Sequence, residues 1–139
     1  MDSSRITIRP FKLSDIDDFM MWASDEKVVR FSRMNPFTSK DDGEFICKGD
    51  MGYGLASQYW GQGIATMAVK MALSSVFLEF PHMERLQALV EKENYGSQRV
   101  LEKCGFLKEG LMRKYLVLKG KTLDVVCFSF LSTDSVPDL

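Results

Sequence analysis

A mixed α/β fold is the class this sequence predicts. Three patterns carry the prediction: helical spacing over residues 64–80, a nearly all-apolar run over 86–90, and two long strand-like runs, 106–118 and 122–131. Alternation of strand and helix in the middle implies a parallel pair, and the last two runs, joined by Lys119-Gly120-Lys121, read as an antiparallel hairpin.

The elements follow in order. Residues 5–11 set Ile6, Ile8 and Pro10 against Arg5, Thr7 and Arg9, a strand with one face inward. Ser14-Asp15-Ile16-Asp17 then starts a helix, because a Ser hydroxyl accepts from an orphan amide and acids favour the positive helix end. Ile16, Phe19, Met20 and Ala23 fall on its inner face. A second short helix over 26–34 ends before Asn35-Pro36, and a third turn runs from Thr38 to Ile46, interrupted by Gly43. A short extended segment, 51–57, leads into Gln58-Tyr59-Trp60-Gly61-Gln62-Gly63. Ile64, Ala68, Met71, Ala72 and Val76 keep helical spacing until Pro81. The run 86–90 has the composition of a strand buried on both faces. A helix from Ser97 to Cys104 turns Val100, Leu101 and Cys104 inward, with Gly105 as its left-handed stop. The tail from Ser132 is polar.

At 139 residues the chain has the size of one domain. With 45% apolar and 27% charged residues it is a globular sequence and not a disordered one. Eighteen Lys and Arg balance 19 Asp and Glu, which gives no support to a nucleic-acid partner but leaves room for a small basic pocket. Asp2 and Arg5 interrupt the apolar stretch that a secretory signal requires. The longest uncharged run, 51–69, holds four glycines and is too polar for a span of about 20 apolar residues, so no membrane partner is expected. Cys47, Cys104 and Cys127 are odd in number and outside any CxxC pair, which argues against a disulfide framework or a metal site and for a reducing, cytoplasmic location.

Residues 58–66 are the most informative segment. They pass from extended chain into a helix through Gly61 and Gly63. The first turn of a helix carries free amides and partial positive charge, and glycine lets a phosphate approach the backbone. No Lys-Ser/Thr pair follows, so this is not a P-loop, and Thr66 stands where a dinucleotide fingerprint needs its third glycine. Either the segment cradles a pyrophosphate or it is a glycine turn that starts a helix.

The segment resembles the pyrophosphate motif of the GNAT superfamily of acetyl-CoA-dependent N-acetyltransferases, Q/R-x-x-G-x-G/A. A second block is similar to the ribosomal-protein, Rim-type branch: Asn94-Tyr95-Gly96-Ser97, then Arg99-Val100-Leu101-Glu102-Lys103-Cys104-Gly105-Phe106 and Glu109-Gly110. The resemblance runs from about Ile6 to Leu131. It implies a GNAT fold, a mixed central sheet with helices on both faces, and acetyl-CoA as cosubstrate for a primary amine such as a protein N-terminus.

It also implies site roles. Amides of Leu55 and Ala56 would stabilise an oxyanion. Gln58 opens the motif, and the amides of Trp60, Gly61, Gln62, Gly63 and Ile64 would hold the pyrophosphate. Asn94 would bind pantetheine, with Ser97 near the sulfur as a weak donor. Arg99 and Lys103, four apart on one helical face, would meet phosphate or adenine, or form a solvated basic face. Asp50 occupies a position where the branch often carries an acid, as a base for the amine, or is an ordinary turn aspartate. Tyr53 and Trp60 would pack beside the cofactor or in the core. His82 reads as a loop residue.

The sequence departs from the family pattern in three places. Leu101 stands where many members carry a catalytic tyrosine, and Met67 replaces a usual glutamate. Between the first helices and Asp50 the family places a two-stranded hairpin, for which this chain has no residues. A truncated domain with an open sheet edge is expected, and an unpaired strand invites a homodimer. Three functions follow as expectations: an active N-acetyltransferase, a CoA-binding but catalytically impaired module, or an interaction module without cofactor.

Overall fold

The computed structural model describes residues 3–23, 27 and 47–138. The helical turns expected over 26–34 and 38–46 lie outside them, apart from Lys27. In the described residues the regular elements are α1 (Ile16–Ala23), β1 (Lys48–Asp50), α2 (Ile64–Glu79), β2 (Arg85–Glu91), α3 (Tyr95–Lys103), β3 (Leu107–Leu118) and β4 (Lys121–Leu131). The strands form one mixed sheet in the order β1-β2-β4-β3. β1 and β2 are parallel, and the other two pairs are antiparallel.

The core lies between the sheet and its two long helices. Leu86, Ala88 and Val90 of β2 pair in register with Phe130, Phe128 and Val126 of β4 and point to one face. Val69 and Leu73 of α2, with Leu101 of α3 and its C-cap Cys104, close over them. Phe130 stacks against Phe77 and tilts against Phe106, with centroids 6.2 and 5.5 Å apart. Such ring pairs add to the area they bury.

Two turns explain how the chain reaches this arrangement. α3 ends in a Schellman motif: Phe106 N donates to Leu101 O, Gly105 N donates to Glu102 O, and Gly105 takes φ +88°. The hairpin between β3 and β4 closes on two residues, Lys119 and Gly120, both with positive φ (50° and 76°), as a tight right-twisted hairpin demands.

Several sequence expectations need correction. Residues 5–11 are not a strand: Ser3–Arg5 form a 3₁₀ turn and the chain then runs without regular structure, leaving Ile8 and Phe11 exposed. Alternation makes a strand only when a neighbouring strand supplies the hydrogen bonds, and no described strand lies beside it. Asp15, not Ser14, caps the first helical turn, accepting from Lys12 N at 2.8 Å. Arg9 grips the same carboxylate with two bonds of 2.7 Å, and this pairing holds Asp15 down at about 2.

The extended segment expected over 51–57 is ordered as a strand only before it, at Lys48–Asp50. β2 is not buried on both faces. Buried Leu86, Ala88 and Val90 alternate with half-buried Arg85, Gln87, Leu89 and Glu91, so one face meets the core and the other is mostly polar. α3 begins at Tyr95 instead of Ser97, because Asn94 caps it. The described long helices, α2 and α3, both pack on the core face.

Candidate active site

Residues 51–63 form a loop that carries the chain from the sheet to α2. Its internal bonds are local: the Trp60 indole donates to Leu55 O at 2.8 Å, Tyr59 N to Ala56 O at 3.0 Å, and Gln62 Nε2 to Gln58 O at 3.2 Å. These fix the loop so that Gly61 (φ +75°) and Gly63 (φ +78°) take left-handed conformations, and a Cβ built on either would stand in open space.

Gly63 is the N-cap of α2, and no side chain caps the helix there. Its first turn holds no acidic residue either. The amides of Ile64, Ala65 and Thr66 precede the first intrahelical bond, Met67 N to Gly63 O, so they have no helical acceptor. An uncapped, electropositive helix start beneath open space is a cradle for a polyanion.

The two parallel strands splay above this loop. Their pairing ends at Asp50↔Gln87, with one further bond from Met51 N to Gln87 O at 2.7 Å. β2 continues to Glu91 while the other chain turns away. A cavity of about 160 Å³ opens between residues 51–55 and α2, lined chiefly by Met51, Leu55, Ile64, Ala65, Ala68 and Ala72. Its walls suit an apolar chain, and Ile64, the residue after Gly63, is part of its lining.

Tyr53 crosses from the loop to α3. Its phenol donates to Ser97 O at 3.0 Å and shares a hydrogen bond of 2.7 Å with Ser97 Oγ. Burial pushes this phenol up to about 12, partly opposed by the Ser97 bond. Asn94 Oδ1 accepts from Ser97 N at 3.1 Å, which leaves its Nδ2 donors as what it offers a ligand.

Asp50 lies at the end of β1, on the polar face of the sheet. It accepts from Gln87 Nε2 at 3.1 Å, and Lys48 Nζ stands 3.9 Å from its other oxygen. Arg99 pairs with Glu102 at 3.3 Å on the exposed side of α3, and Lys103 is exposed one turn further on. The fold thus sets the cavity between residues 51–55 and the start of α2, and Tyr53 ties that lining to Ser97 at the start of α3. Neither Arg99 nor Lys103 is part of the lining. Sequence reasoning missed the Tyr53–Ser97 link and the partner of Asp50. A lone Gln within Leu86-Gln87-Ala88-Leu89-Val90 was the available signal for the second.

Residues 37–107 match the acetyltransferase (GNAT) domain. The chain belongs to the GNAT family. Acetyl-CoA is the cosubstrate of GNAT N-acetyltransferases, and the open glycine loop with its uncapped helix suits its pyrophosphate. The uncharacterized N-acetyltransferase p20 of Bacillus licheniformis is 28% identical over 171 aligned positions, covering 95% of this chain and 96% of p20. That span exceeds the 139 residues present, so p20 carries internal residues with no counterpart here.

Among solved structures, Mycobacterium smegmatis RimJ in complex with CoA-disulfide is 34% identical, with a TM-score of 0.57 over 63% of this chain and 41% of RimJ. Ribosomal-protein-S5-alanine acetyltransferase from Vibrio fischeri is 31% identical, with a TM-score of 0.60 over 77% of this chain and 54% of that one. The chain therefore spans about half the length of these Rim-type GNAT neighbours. No helix among the described residues is long and apolar enough to cross a membrane.

Proposed function

We propose that this GNAT chain binds acetyl-CoA across the Gly61–Gly63 loop and transfers its acetyl group to a primary amine, a protein N-terminus being the favoured acceptor. One observation carries the reading: Gly63 starts α2 in a left-handed conformation with no cap and with open space above it. The ribosomal-protein acetyltransferases among the neighbours support a protein amine as acceptor.

Acetyl-CoA supplies an acetyl group activated as a thioester; the chain supplies position and charge. Amides of Trp60, Gly61, Gln62, Gly63 and Ile64 hold the pyrophosphate, with Gln58 at the start of the loop. Charge-assisted bonds of this kind contribute about 1.5–3 kcal/mol each, enough for tight binding without a cationic side chain. Amides of Leu55 and Ala56 face developing negative charge on the carbonyl oxygen. Asp50 takes the proton of the attacking amine. Ser97, held by Asn94 and Tyr53, lies on the sulfur side, and Asn94 Nδ2 meets pantetheine. Arg99 and Lys103 meet the outer phosphate or adenine when the exposed Arg99–Glu102 pair opens.

Calorimetric titration of acetyl-CoA into the folded chain tests this. Micromolar binding that Gly63→Glu abolishes is the expected result, since a carboxylate would occupy the pyrophosphate position. Unchanged affinity in that variant overturns the assignment of the loop. A second reading, CoA binding without turnover, draws on the internal residues that p20 has and this chain lacks. Binding with no thiol release in the presence of amine peptides would establish it.

A further inference from the structure

On the sheet face turned away from α2 and α3, side chains from all four strands join in one hydrogen-bonded chain. Ser129 Oγ donates to Glu109 Oε1 at 2.8 Å. Arg85 grips Glu109 with two bonds, Nη1 to Oε1 at 2.8 Å and Nη2 to Oε2 at 2.6 Å. Arg85 Nη2 also donates to Gln87 Oε1 at 3.2 Å, and Gln87 Nε2 donates to Asp50 Oδ1 at 3.1 Å.

The direction of this chain is fixed by its ends. A guanidinium only donates and a carboxylate only accepts, so the Gln87 amide must show its oxygen to Arg85 and its nitrogen to Asp50. The cation polarises the amide and strengthens its bond to the carboxylate. Glu109 sits at a register shift in β3, between Lys108 and Gly110, and so is aimed at Arg85 by an irregularity of the strand.

We propose that Gln87 is a positioning residue for Asp50, and that the Arg85–Glu109–Ser129 cluster holds its amide in the one orientation that works. The proposal rests on the reading of Asp50 as the base. Asp50 ends a three-residue edge strand, and its side chain keeps 66% of its surface open to water. A bond to so exposed a group adds little stability. Its effect is on direction: it selects one rotamer of a carboxylate that would otherwise swing freely, and misorientation of a base costs rate.

The test is Gln87→Met, which preserves length and removes the donor. The expected result is a kcat for acetyl transfer to an alanine-led peptide that falls about tenfold, the loss of one charge-assisted bond, with KM for acetyl-CoA unchanged. Arg85→Met should lower kcat less, and should add nothing in the Gln87→Met background. A folded Gln87→Met with wild-type kcat overturns the proposal. Gln87→Asn, too short to reach Asp50, gives the same reading if the Met variant fails to fold.

A second readout does not depend on turnover. The ¹⁵N side-chain amide resonances of Gln87 should move in Asp50→Ala, which removes the acceptor. Resonances unchanged in that variant overturn the link. Full activity in Asp50→Ala overturns the base reading and the positioning role with it, even where the resonances move.

Discussion

Tyr53 Oη lies 2.7 Å from Ser97 Oγ, a contact between residues 44 positions apart that ties the splayed segment to the start of α3. The same phenol reaches the Ser97 carbonyl. The wall of the opening beside the glycine loop is therefore held at its far end by one tyrosine, in a stretch that β1 has already stopped bracing.

That tyrosine gives a pH-dependent prediction. Burial raises its phenol from 10.0 to about 12. A group whose folded value is raised contributes stability that is present below the unfolded value and lost as pH climbs through the folded one. Stability should fall between about pH 10 and 12, and Tyr53→Phe should flatten that fall. Spectroscopic titration checks it directly: one of the four tyrosines should ionise last, and Tyr53→Phe should remove that step. Because 39% of the residue remains exposed, the loss is expected to be smaller than the shift alone would give.

Gly61→Ala separates strain from crowding. Its φ is +75° and an added Cβ meets nothing within 4 Å, so any cost is conformational, about 1 kcal/mol by urea denaturation. Acetyl-CoA affinity should fall further than stability, because the methyl enters the space that the ligand needs. Equal losses in both would mean that the space above the loop is not the binding site.

Glu109 supplies the acid-side counterpart. Its carboxyl is lowered from 4.5 to about 2, chiefly by Arg85 and then by Ser129. A depressed value contributes stability that is present above the unfolded value and lost as pH falls through the folded one. Stability should drop between pH 4.5 and about 2 by about 1 kcal/mol, kept small because 36% of the side chain meets water. Denaturation curves of Glu109→Gln should lack that drop.

Gly105→Ala should be costlier than Gly61→Ala. It combines a φ of +88° with a Cβ only 3.1 Å from Pro137, so the Schellman stop and the tail packed over it must both give way. A loss of about 2 kcal/mol in thermal or chemical unfolding is expected.

Much of this was legible in the residues. Gly61 and Gly63 marked the turn into α2, where both take the left-handed backbone that few side chains tolerate. The start of α3 was legible only to within two residues, at Ser97 in the sequence and Tyr95 in the structure, because the Asn94 cap was not read from the pattern. Ile6 and Ile8 misled, because alternation records a readiness to pair and says nothing of whether a partner strand is present. The β3 register shift at Glu109 was hidden too, as was the second one between Met112 and Leu116, where Lys114 takes φ 49° and donates to Asp124. Long-range choices of that kind leave no local pattern.

Every member of the buried cluster in the described residues comes from the stretch between Val69 and Phe130, and the glycine loop enters it directly through α2. The glycine loop is thus anchored in the same packed unit as the sheet, so a change that loosens α2 should disturb the loop and the core together.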